Sequence, residues 1–133
     1  MKKIALFFVL AIVLVSCSSE EGNSPAYFMS YVDSVEMPGS YKVDSVSVIQ
    51  INYKRPSDCH IYDGIYYKQD GFTRTVAVQF IRPDQQPDCQ PDDTVYQMPL
   101  PFKPKVSGTY LFKFWSGRHQ GHDTYLEHEI VVP

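Results

Sequence analysis

Positive charge is scarce in this chain. Twelve Lys and Arg stand against fifteen Asp and Glu in 133 residues, a net charge of −3 at pH 7. Without a basic patch, neither nucleic acid nor an anionic lipid surface is expected as the main partner. Catalytic signatures are missing as well. There is no Gly-x-Ser-x-Gly elbow, no His-Glu-x-x-His pair and no phosphate-binding glycine loop, which removes the commonest hydrolase, zinc-protease and nucleotide chemistries. Glu127 and Glu129 alternate on the polar side of a predicted strand, where nothing apolar raises either pKa. The chain is therefore read as a non-enzyme with no catalytic residues and no cofactor. Long apolar runs are lacking too. The longest, Ile4 to Val15, has twelve residues, short of the about 20 needed to cross a bilayer as a helix.

Cysteine occurs three times, and its first instance carries the clearest motif. Lys2 and Lys3 precede the apolar run, and Leu14, Ser16 and Cys17 follow at its end, before Ser18-Ser19-Glu20-Glu21. A positive start, a short apolar core and a small-residue cleavage region make a signal peptide. The cleavage region resembles the bacterial lipoprotein box. That resemblance implies that residues 1–16 are removed and that Cys17 becomes a lipidated first residue, anchoring the chain in a membrane. The competing reading is an ordinary secretory signal, but the Ala-x-Ala-like residues such sites favour are absent. Ser18 in place of Asp is similar to the outer-membrane sorting rule. The following acids resemble the export signal of Bacteroidota surface lipoproteins. The expected location is the outer membrane, at the cell surface, with a periplasm-facing anchor as the alternative. Residues 17–26 form the lipidated cysteine and a flexible tether, which spans about 30 Å when fully extended.

The remaining 27–133 suits one domain. In an exported protein, Cys59 and Cys89 read as a disulfide rather than a zinc or redox site, since neither lies in a Cys-x-x-Cys arrangement. Strand periodicity dominates elsewhere. Val76, Val78 and Phe80 share one face, as do Tyr110, Phe112 and Phe114, and then Leu126, Ile130 and Val132. Residues 41–53 alternate with a phase change between Val48 and Ile49, where a bulge or two-sided burial is expected. Turn signals fall at Pro38-Gly39, Asp63-Gly64, Asp70-Gly71, Ser107-Gly108 and Ser116-Gly117. Seven strands follow, at about 27–35, 41–53, 60–68, 72–82, 94–102, 109–115 and 124–132, as in an antiparallel β-sandwich.

The stretch Val106-Ser107-Gly108-Thr109-Tyr110-Leu111-Phe112 resembles the tyrosine-corner entry to the sixth strand of immunoglobulin-like domains, although Phe112 stands where antibody domains have their second cysteine. The resemblance implies a seven-stranded antiparallel immunoglobulin-like β-sandwich. Loops 54–59, 83–93 and 116–123 would then share one end, bringing Cys59 near Cys89 and starting the tether beside them, with Pro133 at the far end.

That end collects Lys54, Arg55, Arg118, His119 and His122, with Trp115 at its base and Tyr66 and Tyr67 nearby. Aromatics beside polar groups can stack on sugar rings; half-buried aromatics in sheets are also ordinary packing. His119, His122 and Asp123 are metal-ligand types, but their spacing names no metal site. His128 shares the phase of Leu126 and Ile130 and reads as a partly buried histidine. Asp84, Asp88, Asp92 and Asp93 form an acidic loop without the ligand spacing of a calcium loop. The favoured reading is a non-catalytic accessory lipoprotein contacting another envelope protein. A surface glycan-binding module of a polysaccharide-uptake system is the alternative.

Overall fold

Alternation of apolar and polar residues places every second side chain of a strand in one layer, and here two such layers close on one another. The computed structural model describes residues 26–83 and 88–133. Cys17, expected to be lipidated, and the expected signal peptide and tether before Ala26 lie outside the described residues, as does Asp84.

Among the described residues there are eight strands: β1 (Ala26–Ser30), β2 (Val32–Glu36), β3 (Ser47–Tyr53), β4 (Ile61–Asp70), β5 (Thr73–Arg82), β6 (Tyr96–Phe102), β7 (Gly108–His119) and β8 (His122–Val132). The larger sheet contains β4, β5, β7 and β8 in that order, with β1 also on β5; the smaller has the order β2-β3-β6. Val76, Val78, Phe80, Tyr110, Phe112, Phe114, Ile130 and Val132 point from the larger sheet into the core. They meet Val32, Ile49, Ile51, Tyr53, Leu100 and Phe102 from the smaller one. Phe102 stands edge-on to Tyr110 and Phe112, with centroids 5.3 and 5.0 Å apart. Each fully buried side chain of this size contributes about 1.5–3 kcal/mol as an upper estimate.

The all-β expectation holds, but seven antiparallel strands do not. The stretch expected as one strand over 27–35 is two. One edge of β5 explains the break. That edge pairs antiparallel with β1 from Val78 to Arg82, and in parallel with β7 from Thr73 to Val76. β1 cannot continue past Ser30 without displacing β7. The chain therefore crosses at Tyr31 to the smaller sheet, where Val32 pairs with Tyr53. The parallel pairing of β5 and β7 is itself a departure from the expected pattern. Between them the chain passes through β6 in the other sheet, and two reversals restore its direction.

Two of the expected turns lie inside strands. Asp63-Gly64 interrupts the register between β4 and β5, and Ser116-Gly117 that between β7 and β8. Gly64 and Gly117 have φ of +139° and +128°, values that L side chains rarely adopt, and each marks a bulge rather than a reversal. The segment 116–123, expected as a loop, is consequently a hairpin closed by Gln120-Gly121. Both residues have positive φ, 48° and 79°, as a type I′ turn requires. The expected phase change near Val48 is not a bulge either. β3 begins only at Ser47, and Tyr41 packs edge-on against Phe102 from the preceding loop.

The registers also orient the ends. Ala26 lies opposite Arg82, and Val132 opposite Gly108, so the described chain enters at one end of the larger sheet and leaves at the other. At the second end Tyr110 donates its hydroxyl to the Val106 carbonyl at 2.8 Å. Phe72 lies edge-on to Tyr110 at 4.9 Å and directly over Gly108, where a Cβ would approach its ring to 2.7 Å. Gly108 also has φ +150°. Gly108→Ala should therefore lower stability by about 1–3 kcal/mol. In urea titrations the Gly108→Ala, Phe72→Ala pair should lose less than the sum of the single changes, because removing the ring removes the clash.

Candidate functional site

Cross-strand neighbours share a face, so the registers determine which of the sequence-selected residues meet. On the outer face of the larger sheet, Tyr66 of β4 lies opposite Ala77 of β5. The parallel register that aligns Val76 with Phe114 brings Ala77 beside Trp115, and Trp115 lies opposite Tyr125 of β8. One row therefore reads Tyr66, Ala77, Trp115, Tyr125. Neighbouring strands are about 4.8 Å apart, which separates the backbones of Tyr66 and Trp115 by about 10 Å. The short Ala77 between them leaves a trough of about 230 Å³, also lined by Met29, Lys68 and Asp123.

The Ser116 bulge completes this site. In an unbroken strand Trp115 and Arg118 would face opposite sides. The inserted residue shifts the parity, and both side chains reach one carboxylate: Trp115 Nε1 and Arg118 Nε each donate to Asp123 Oδ1 at 3.1 Å. These two bonds hold the Asp123 carboxyl below the usual carboxylate range and fix the indole in place.

The other candidates go elsewhere. Tyr67 points to the opposite face of β4 from Tyr66, toward Arg74, and burial raises its hydroxyl pKa. His119 and His122 form the last pair of the hairpin, next to the Arg118–Asp123 pair. Successive pairs face opposite sides, so Asp123 turns away from the two imidazoles. His128 packs edge-on to Phe114 at 6.1 Å. Arg55 is ion-paired with Asp92 and lies 5.6 Å over the Tyr96 ring.

Asp92 also accepts from Tyr96 Oη at 2.8 Å and from the Thr94 amide at 3.0 Å. Together with Arg55 these donors hold it far below the usual range. Its oxygens are thus engaged by the protein, while Asp88 and Asp93 are exposed. Cys59 and Cys89 are joined as a disulfide across a separation of 30 residues. The bridge is reinforced by Asp58 N to Gln90 O at 3.0 Å and Gln90 N to Asp58 Oδ1 at 2.9 Å. Asp58 approaches both sulfurs in a ligand-like grouping, but sulfurs bonded to each other are not thiolate ligands.

The chain matches no family model, no curated protein and no solved structure. Its chemistry has to be read from its own geometry.

Sequence reasoning missed three groups. Tyr125, Lys68 and Ala77 complete the outer trough, and recognising Gln120-Gly121 as a two-residue turn would have placed β8 against β7. Arg74 is a buried cation with no motif around it. Ser57 and His60 form a buried pair beside the disulfide. The Ser57 hydroxyl accepts the Cys59 amide at 3.3 Å and lies 2.7 Å from His60 Nδ1, within hydrogen-bond distance. Burial, then the charges of Arg82 and Arg55, lower the His60 pKa. Both groups are buried and joined within one turn, so the pair ties the loop together.

The sign of the His60 effect is testable. The folded protein binds this proton less readily than the unfolded chain, so the contribution to stability is complete above the ordinary value of 6.5 and declines as pH falls below it. Urea midpoints should drop between pH 7 and pH 5, and drop less in His60→Gln. Asp92 is a separate, more acidic source of loss, beginning only below its ordinary value of 3.8.

Proposed function

We propose that this chain is a non-catalytic, lipid-anchored binding module whose outer sheet face takes a glycan. The observation that carries this reading is the row Tyr66, Ala77, Trp115, Tyr125. Two aromatic walls over a short side chain leave space for one sugar ring. The apolar C–H face of a pyranose packs against such rings, and each aromatic contact contributes about 0.5–1.5 kcal/mol beyond area burial. Lys68 and the Asp123 carboxylate stand at the edge of the trough, where sugar hydroxyls seek a donor and an acceptor. The Trp115–Asp123 bond supports pre-organisation, which lowers the entropic cost of binding.

The lipoprotein part of the proposal rests on the box ending at Cys17 and on the acids after it. Display on the outer membrane surface would bring the trough to extracellular polysaccharide. A Bacteroidota-type origin is proposed on the same residues. The finer fold assignment, an immunoglobulin-like sandwich, is supported by the Tyr110–Val106 hydrogen bond at the crossing between sheets and is weakened by the parallel β5–β7 pairing.

A second reading, contact with another envelope protein, is favoured by a different strip. Tyr27 and Ile61 are 66% and 52% exposed, and both pair with Ile81, forming an apolar row across β1, β5 and β4. The row lies at the end where the tether joins, facing whatever neighbours the anchor. Crosslinking in intact envelopes followed by pull-down should recover a partner through this strip, and recovery of the protein alone would remove the reading.

The glycan reading predicts that Trp115 fluorescence changes saturably with at least one member of a broad polysaccharide panel. Trp115→Ala should weaken that binding at least tenfold with little change in thermal midpoint, since the indole is only partly buried. No response across the panel would sink the proposal. For the anchor, Cys17→Ser should release the protein from membranes. Protease shaving of intact cells should remove the wild type but spare a Glu20→Ala, Glu21→Ala variant if the acids direct surface display; protection of both would place the domain in the periplasm.

A further inference from the structure

Behind the outer trough, on the inner side of β4 and β5, residues of both sheets line an open cleft of about 630 Å³. Its volume lies in the range of small-molecule sites. Apolar walls come from Phe72 and Tyr110 on one side and from Leu100 and Pro101 on the other, with Lys103 and Lys105 at its rim.

One residue in this cleft is out of keeping with the rest. Arg74 is only 6% exposed. Its Nη1 donates to the carbonyls of Gly71 at 2.6 Å and Thr73 at 3.0 Å, its guanidinium lies 5.1 Å from the centre of the Tyr110 ring, and its charge acts on the nearby Tyr67 hydroxyl. All of these partners are neutral. Among the described residues no carboxylate pairs with it, nor with Lys103, while Lys105 pairs with Asp44 at 3.3 Å. A buried cation without a counter-charge is costly, and the guanidinium fork is shaped for a carboxylate.

We infer that this cleft binds a small organic carboxylate with an apolar body, its acid on Arg74, its chain or ring against Phe72, Tyr110 and Leu100, and Lys103 favouring its entry. Neutral sugars fit this chemistry poorly, so the site is separate from the outer trough and does not rest on the glycan reading. Tyr66 and Tyr67, adjacent in sequence, would serve the two sites from opposite faces of one strand.

The test uses the folded domain with its disulfide intact. Octanoate and 3-phenylpropionate are titrated by calorimetry and by amide chemical shifts, each beside its neutral amide, octanamide or 3-phenylpropionamide. Saturable one-to-one binding of at least one acid is expected, at least tenfold tighter than its amide, with shifts concentrated in 71–74 and 100–110. Preference for octanoate identifies an acyl ligand, and preference for phenylpropionate an aryl one. Arg74→Met should erase the preference for the acid. Lys103 is exposed, so Lys103→Glu should fold normally and weaken acid binding about fivefold while leaving the amide unchanged. Equal affinity for acid and amide, binding of neither acid, or shifts centred on the Trp115 trough would each overturn the inference. The wild-type comparison of acid with amide decides the matter even if Arg74→Met does not fold.

Discussion

The hydrogen-bonding capacity of β5 is the constraint on which the rest depends. A buried strand must satisfy its backbone on both edges, and β5 does so with three partners: β4 along one edge, β7 and β1 sharing the other. From that division follow the crossing of the chain at Tyr31, the parallel alignment of β7 and the junction of the two sheets. The outer trough depends on it too. Ala77 has Tyr66 on one side because β4 pairs antiparallel, and Trp115 on the other because β7 pairs in parallel. A shift of one residue in either register would turn one of the aromatics to the opposite face.

Bulges then adjust what the registers place. Without the insertion at Ser116, Trp115 and Arg118 would lie on opposite faces, and Asp123 could not accept from both. Asp63 does the same for β4. Before it, Tyr62 faces inward, edge-on to Phe80 at 6.2 Å. After it, Ile65 and Tyr67 face inward while Tyr66 faces out, the parity that the trough requires. Two glycines with positive φ thus act on function by re-aiming side chains several residues away.

The two faces of the larger sheet offer contrasting chemistry. The outer trough combines aromatic rings with an oriented carboxylate and a lysine, the groups on which the proposed glycan site rests. The inner cleft combines aromatic and aliphatic walls with a cation that no acid among the described residues balances. Away from both, the Cys59–Cys89 bridge, the Arg55–Asp92 pair and the Ser57–His60 contact consolidate the end at which β1 begins. Closing a loop of this size stabilises a fold by about 3–4 kcal/mol on the chain-entropy model. Of the charged residues at that end, Arg55 is engaged by Asp92 and Arg118 by Asp123.

Local pattern alone was enough to determine the all-β class, the inward faces of β5, β7 and β8, and the pairing of Cys59 with Cys89. Burial on a pleated strand repeats every two residues, and two cysteines outside any Cys-x-x-Cys arrangement, in a chain read as exported, are expected to have one another as partners. Trp115 with Tyr66 or Tyr67 was also legible as a pairing worth testing. Tertiary structure decided the rest. Only the shared edge of β5 splits the first strand, because competition for hydrogen bonds is invisible along the chain. Asp63-Gly64 and Ser116-Gly117 have the composition of turns, and only pairing on both sides makes them bulges. Tyr67 differs from Tyr66 solely in parity, which the bulge sets. Arg74 carries no sequence signal, since what distinguishes it is burial without a counter-charge among the described residues.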